Sequence, residues 1–392
     1  MKSVYLVDGL RTPVGSPFRS LKDFTAGQLA GRVVLELARR HPFLGERLDD
    51  VVFGNAVMAS GGQNPARQAA ISGGLPARVP AYTVSNACGA GLQAVILAGQ
   101  AILSGHSRLG IAGGTESATH SPQLLSKSIA DPLARRDPVD SLIYDGLWCL
   151  LTGKHMGELC EMLAREHGIS REEQDRYALT GHRKAVAALA GKNFSAETAA
   201  INTGAGMFDR DERPRKNVTL ENFQMLPPAF AEDGTITSGN ASVPCDGAAA
   251  VIVAGEEAVK QGQWAPFSRL AGWVSIGVEP ESVFSAAVPA IECCLSRSGL
   301  AIEEIDLFEI SEAFAAQAIF TQRELRIPEE KMNICGSDLA LGHPLGAAGA
   351  RILVTLMHAL RRHRKRYGVA AVCLGGGGAV AVAIENLKGN DA

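Results

Sequence analysis

Tyr82-Thr83-Val84-Ser85-Asn86-Ala87-Cys88-Gly89-Ala90-Gly91-Leu92 runs from a strand-like stretch through a turn of small residues into apolar spacing that predicts a helix to Leu103. Leu109-Gly110-Ile111-Ala112 then predicts a strand, closed by Gly113-Gly114. The same order returns late in the chain. His343-Pro344-Leu345-Gly346 opens a helical stretch to about Arg366, Val369 to Leu374 reads as a strand, and a glycine run follows. Upstream, Asp50-Val51-Val52-Phe53-Gly54-Asn55 is matched in pattern by Asp306-Leu307-Phe308-Glu309-Ile310-Ser311. A strand–turn–helix–strand–Gly unit used twice predicts an internally duplicated α/β fold.

Between the two copies the texture changes. From Ala118 to about Thr237 charges crowd into Arg165 to Lys184, prolines and polar loops follow, and strand signals fade. The expected organisation is an N-terminal half over 1–117 plus 238–266, an inserted loop subdomain over 118–237, and a C-terminal half over 267–392. A chain of 392 residues exceeds what one hydrophobic core usually serves, in keeping with two or three units.

Composition narrows the function classes. The net charge of -3 gives no global pull toward nucleic acid or an acidic membrane surface. No apolar run approaches the roughly 20 residues that span a bilayer. The strand-like Val4-Tyr5-Leu6-Val7 leaves no room at the start for a signal peptide. The eight cysteines form no C-x-x-C pair, so reduced thiols in a cytoplasmic protein are the simplest account.

Three segments could carry chemistry. Cys88 falls at a predicted helix start, where the positive end of the macrodipole and free N–H groups favour a thiolate; taken alone it reads equally as a buried cysteine in a glycine-rich turn. His343, held between Gly342 and Pro344, is the side chain type best able to take a thiol proton near neutral pH, or a helix cap. Cys373 ends an apolar strand before Gly375-Gly376-Gly377-Gly378, whose N–H groups suit a thioester oxygen gaining negative charge, or a tight hairpin. His182, His358 and His363 fall in charged helical stretches and read as solvated. Gly89, Gly91 and Ala94 echo a dinucleotide fingerprint, but Gly113-Gly114 stands where its acidic residue belongs. Arg361-Arg362-His363-Arg364-Lys365-Arg366 reads as the solvated end of a helix rather than a nucleic-acid patch.

With these frames in place, the chain resembles the thiolase family over nearly its whole length. The ordered landmarks are Arg11-Thr12-Pro13, Gln63-Asn64-Pro65-Ala66-Arg67-Gln68, the Cys88 segment, Gly113-Gly114-Thr115-Glu116-Ser117 and His155-Met156-Gly157. Ser238-Gly239-Asn240-Ala241-Ser242, Asp246-Gly247-Ala248, Glu312-Ala313-Phe314, Gly342-His343-Pro344 and Cys373-Leu374-Gly375-Gly376-Gly377 complete the set. The resemblance implies a five-layered α-β-α-β-α fold and acyl transfer between acyl-CoA and coenzyme A through an acyl-cysteine. It implies Cys88 as nucleophile, His343 as its proton acceptor, and Cys373 as proton partner of the second substrate. The N–H groups of Cys88 and Gly375 would form one oxyanion hole. Arg215 and Ser242 would contact coenzyme A, and His155, Met156 and Phe314 would line the acyl pocket. Coenzyme A thioesters are then substrates, no separate cofactor or metal is called for, and a homodimer or homotetramer is expected.

Three segments depart from the family pattern. Ser311-Glu312-Ala313-Phe314 stands where most members have Asn-Glu-Ala-Phe, whose asparagine orients a water in the other oxyanion hole; Ser311 is the residue expected to hold that water here. Asn333-Ile334-Cys335-Gly336-Ser337 replaces Asn-x-Asn-Gly-Gly, and Val283-Phe284-Ser285-Ala286-Ala287 replaces Met-Gly-x-Gly-Pro at the pocket's edge. A ketoacyl-synthase-type condensing enzyme on the same fold would lack the second cysteine, so Cys373 argues against it. A non-catalytic acyl-CoA-binding relative is opposed by the joint presence of Cys88, His343 and Cys373.

Overall fold

The computed structural model describes residues 3–125 and 137–387. Nine strands carry its main sheet: β1 (Val4–Arg11), β2 (Asp50–Gly54), β3 (Ala81–Val84), β4 (Leu109–Ser117), β5 (Asp246–Gly255), β6 (Ser268–Gly277), β7 (Leu307–Ile310), β8 (Tyr367–Leu374) and β9 (Gly378–Asn386). The principal helices are α1 (Ala26–Arg40), α2 (Pro65–Ser72), α3 (Ala90–Leu103), α4 (Met156–Glu166), α5 (Arg171–Ala190), α6 (Ala287–Ser298), α7 (Ala315–Glu324) and α8 (Leu345–Arg362).

Strand order exposes the duplication. One half reads β1-β5-β4-β2-β3 and the other β6-β9-β8-β7, with the same sequence of antiparallel, antiparallel and parallel pairings. The fifth strand of the second half is reduced to a single bridge between Phe308 and Met332. The halves meet along β1 and β6, through Tyr5 with Arg269 and Leu6 with Ser268.

Period-two patterning then sorts side chains into layers. On β5, Val251 and Val253 face an inner core while Ala250 and Ile252 face an outer one. On β9, Val380 and Val382 face that same inner core, and Ala379 and Ala381 face a third. The inner core holds α3 and α8; α1 and α2 cover one outer face, and α6 and α7 the other. This is the expected five-layered α-β-α-β-α arrangement.

The inserted segment contains α4, α5 and three short two-residue or three-residue strand pairs. It is fastened by buried polar contacts. Arg11, fully buried on β1, donates to Glu197 at 2.6 Å and to both oxygens of Asp211 at 2.7 and 2.9 Å. Asn240 donates to Asp175 on α5 at 2.9 Å, which explains a polar residue inside the Ser238–Ser242 landmark.

Two expectations are corrected. The helix opened by His343 ends at Arg362, four residues early, because His363 leaves the helical geometry as its C-cap and Arg364 takes a left-handed φ of 53°. His182 and His358 are buried rather than solvated: His182 accepts from the Arg215 N–H at 3.3 Å, and His358 bonds the Gly9 carbonyl at 3.0 Å. Charged neighbours in sequence did not reveal that both histidines sit on the packed face of their helices.

Candidate active site

The two inner helices start beside each other because a glycine stands in the first turn of each where they cross. A Cβ on Gly91 would lie 2.7 Å from the Gly346 carbonyl, and one on Gly114 would lie 2.1 Å from the same oxygen. Backbone therefore meets backbone at this crossing, and the turns preceding α3 and α8 face one cavity. Neither helix has a side-chain N-cap. The Gly346 N–H is instead taken by Glu116 at 2.9 Å, which also accepts from Ala56 and Asn55. Burial pushes the Glu116 carboxyl up to about 7 against those three N–H donors and that of Val57.

Cys88 sits in a 3-10 turn over Ala87–Gly89 directly before α3, half-buried. Ala87 adopts φ 44°, a left-handed conformation that costs a residue with a Cβ of order 1 kcal/mol or more. The turn follows the end of β3, and Cys88 within it lines the cavity. His343 is pinned by its own backbone, N–H to the Val243 carbonyl at 2.9 Å and carbonyl to the Cys245 N–H at 3.1 Å. Gly342 at φ 101° makes that approach possible, since a Cβ there would strike the Cys245 sulfur at 2.4 Å. The His343 ring hydrogen-bonds Cys88 on one side, and its Nδ1 lies 3.0 Å from Asp338 Oδ2 on the other.

Cys373, at the end of β8, is buried, and burial pushes its thiol up to about 12. It is a protonated thiol across the neutral range, unlike a cysteine paired with a cation. Gly376 and Gly377 follow at φ 92° and 96°, a turn open only to glycine without strain.

One cavity of about 270 Å³ brings Cys88, His343, Cys373, Ser311, Gly375, Ser242, His155, Met156 and Phe314 together. Its walls are mostly apolar, with Phe284 edge-on to Phe314 at 5.2 Å and Phe230 stacked on His155 at 4.8 Å. His155 also caps α4, accepting from the Gly157 N–H at 3.0 Å. Arg215 lies elsewhere, in a separate groove with Arg19, Glu212 and Arg213. Among the described residues no cluster of His, Cys, Asp and Glu suits a metal ion, and no helix is long and apolar enough to cross a membrane.

Sequence reading missed Asp338, Arg351 and Phe230 as site components, whereas Phe284 lies in the segment expected at the pocket's edge. The signal for Asp338 was present: a lone acid in the otherwise apolar run Asp338-Leu339-Ala340-Leu341 just before Gly342-His343. Phe230 offered none, since it reaches the cavity only through the fold of the inserted segment.

The chain matches the family model described as "Thiolase, N-terminal domain" over residues 4–257 and "Thiolase, C-terminal domain" over 264–386. It belongs to the thiolase family. It is 40% identical over 394 residues to a probable acetyl-CoA acyltransferase of Staphylococcus aureus, covering 99% of this chain and 100% of that one. Human mitochondrial 3-ketoacyl-CoA thiolase superposes with a TM-score of 0.95 at 36% identity, covering 98% of this chain and 99% of that one. The acetyl-CoA acetyltransferase of Bacillus anthracis gives the same TM-score at 35% identity, with 99% of each chain covered. A thiolase with this cavity is an acyltransferase.

Proposed function

We propose that this thiolase cleaves or forms 3-ketoacyl-CoA through an acyl group carried on Cys88. The observation that carries the reading is the convergence of a helix-start cysteine, a buried histidine and a second, protonated cysteine on one apolar cavity. His343 takes the Cys88 proton on Nε2. The Cys88 thiolate attacks the 3-keto carbon, the Cα–Cβ bond breaks, and the departing acetyl-CoA enolate takes its proton from the Cys373 thiol. Coenzyme A thiol then returns a proton to Cys373 as its sulfur displaces the acyl group from Cys88. The N–H groups of Cys88 and Gly375 suit the tetrahedral oxyanion formed in both steps.

A cavity walled by Met156, Phe230, Phe284 and Phe314 supports an acyl chain as the buried part of the substrate. Ser242 on its rim, and the cationic groove of Arg213 and Arg215, support coenzyme A entering from the inserted subdomain over 118–237, between halves over 1–117 plus 238–266 and over 267–392. A human relative was solved in complex with CoA, at 36% identity and a TM-score of 0.95, which supports the same ligand here. Eight free cysteines support a reducing, cytoplasmic setting, and a homodimer or homotetramer is the assembly proposed. The test is to mix the protein with acetoacetyl-CoA and coenzyme A, follow loss of the ketothioester absorbance, and weigh the Cys88 peptide. Acetyl mass on Cys88 together with thiolysis is expected; thiolysis without any adduct on that peptide sinks the reading.

A further inference from the structure

The His343 ring meets Cys88 on one side and a buried acid on the other. Nδ1 points away from the cavity to Asp338, a carboxylate with no exposure that sits on the short helix Asp338–Leu341. Three donors converge on it: Nδ1 of His343, the Ser311 hydroxyl, and Nη2 of Arg351 from the first turns of α8. Ser311 lies 3.5 Å from the same Nδ1, too far and too poorly placed to compete, and its hydroxyl proton is already directed at Asp338.

We infer that Asp338 is a positioning residue for acyl transfer: its carboxylate takes the Nδ1–H of His343, directs Nε2 at Cys88, and stands as counter-ion to the imidazolium formed when Cys88 ionises. The inference rests on the acyl-cysteine reading above. The backbone bonds at Val243 and Cys245 fix where His343 starts but leave the ring free to turn about its own bond. A single strong acceptor behind Nδ1 removes that freedom and selects the tautomer whose other nitrogen meets the sulfur. The proton balance is simple. The Cys88 S–H proton moves to Nε2, the Nδ1–H remains where it was, and Asp338 stays ionised throughout.

The surrounding charges allow this. Burial opposes ionisation of Asp338, but Arg351 and His343 outweigh it and hold the carboxyl below its ordinary range. Burial likewise opposes the imidazolium, yet Asp338 and Cys88 together raise it to about 10. The other acids packed nearby do not replace Asp338. Burial pushes Glu309 up to about 8 and Glu312 upward as well, and Glu312 is engaged with Tyr177 and Asn333. Cys245, on the loop before β5, is pushed up to about 12 by burial and stays neutral.

The experiment reads the ionisation of Cys88 directly, by its rate of alkylation with iodoacetamide across pH, the site being checked by peptide mass. The native protein supplies the reference midpoint of the alkylation profile. In Asp338→Asn the imidazolium loses its counter-ion, and the midpoint of the profile is expected to move alkaline by about 1–3 units, the usual effect of one nearby opposite charge. Asp338→Glu is expected to restore part of the shift. A profile lowered at every pH with its midpoint unmoved means a merely structural role and overturns the proposal. Removing Asp338 leaves Arg351 without its ion-pair partner, so Asp338→Asn/Arg351→Met is measured in parallel. If neither variant folds, nitrogen NMR of histidine-labelled native protein decides: both His343 nitrogens protonated at neutral pH supports the proposal, and a ring with bare Nδ1 overturns it. Acyl mass on native Cys88 is scored separately, so failure of the acyl-cysteine reading and failure of the Asp338 role are told apart.

Discussion

The turn that opens α3 and the turn that opens α8 hold the same place in the two halves and contain opposite chemistry. Before α3 the chain offers a strained Ala87, a half-exposed Cys88 and no ion pair. Before α8 it buries Asp338 and His343, with Asp338 held by Arg351 of α8 and by Ser311 from the end of β7. The adjoining strands differ in a matching way. Gly54 pairs with Gly114 and Ile310 with Ala371, which sets Glu116 and Cys373 at equivalent points two residues on. The half with Cys88 has a carboxyl at its strand end, and Glu116 reaches across to the Gly346 N–H of the other half. The half with the ion-pair network has the thiol. Duplication supplies two facing helix starts; in the mechanism proposed above, single residues at equivalent register make one a nucleophile and the other a base.

If the halves divide the work this way, removing the nucleophile is the largest blow. Cys88→Ala is expected to abolish the acyl adduct and lower thiolysis by roughly 10⁴-fold or more, as loss of a covalent nucleophile does; an unchanged adduct by mass would break the comparison outright. Cys373→Ala is expected to leave Cys88 able to take an acyl group while thiolysis falls ~10²–10⁴-fold, the range for a general acid–base group. Equal loss of both steps would move Cys373 from chemistry to packing. The two cysteines then differ as their surroundings say, one paired with a cation and one held as a thiol.

The network before α8 also makes a prediction about stability that the turn before α3 does not share. Arg351→Met leaves Asp338 buried beside only His343 and Ser311, and breaking such a buried pair typically costs about 3–5 kcal/mol; a urea midpoint unchanged from native would show the pair to be dispensable. pH carries the sign. The His343 ring is raised from 6.5 to about 10, so its contribution is complete below about 6.5 and lost as pH rises through 10. Asp338 is lowered from 3.8, so its contribution is present above that value and lost as acid protonates it. Urea midpoints are therefore expected to fall from pH 7 to 10 in the native protein, and to fall less in Asp338→Asn.

How much of this was legible in the sequence follows from the kind of contact involved. The duplicated strand–turn–helix units, Cys88, His343 and Cys373 were readable because local pattern and small-residue turns mark them. The helix crossing at Gly91, Gly114 and Gly346 was not, since three glycines far apart in the chain announce nothing until their backbones touch. Asp338 was overlooked because its partners Ser311 and Arg351 lie 27 and 13 residues away, on other elements. His182 and His358 misled for the opposite reason: charged neighbours one or two positions away say little about which helical face is packed.

Ser311 gives the smallest effect and the finest test of the comparison. Its counterpart in the first half is Asn55, which follows β2 as Ser311 follows β7, and Asn55 spends its amide on Glu116 at 2.7 Å and on the Thr115 carbonyl at 3.2 Å. Ser311 similarly spends its hydroxyl proton on the acid of its own half, Asp338, so what it can offer a substrate or a water is an acceptor. Ser311→Ala removes one donor from a carboxylate that keeps Arg351 and His343. The loss of a neutral hydrogen bond is worth about 1 kcal/mol, so thiolysis is expected to fall only ~3–10-fold, with the Cys88 alkylation midpoint moving slightly acidic as Asp338 gains charge density. Ser311→Asn is expected to match or exceed native activity on a short acyl-CoA, because its amide can donate to Asp338 and still face the cavity. A loss of ~10²-fold or more in Ser311→Ala, the size typical of an oxyanion-hole donor, would instead assign Ser311 a direct part in holding the thioester oxygen, and the second half would then carry one more reacting group than the first.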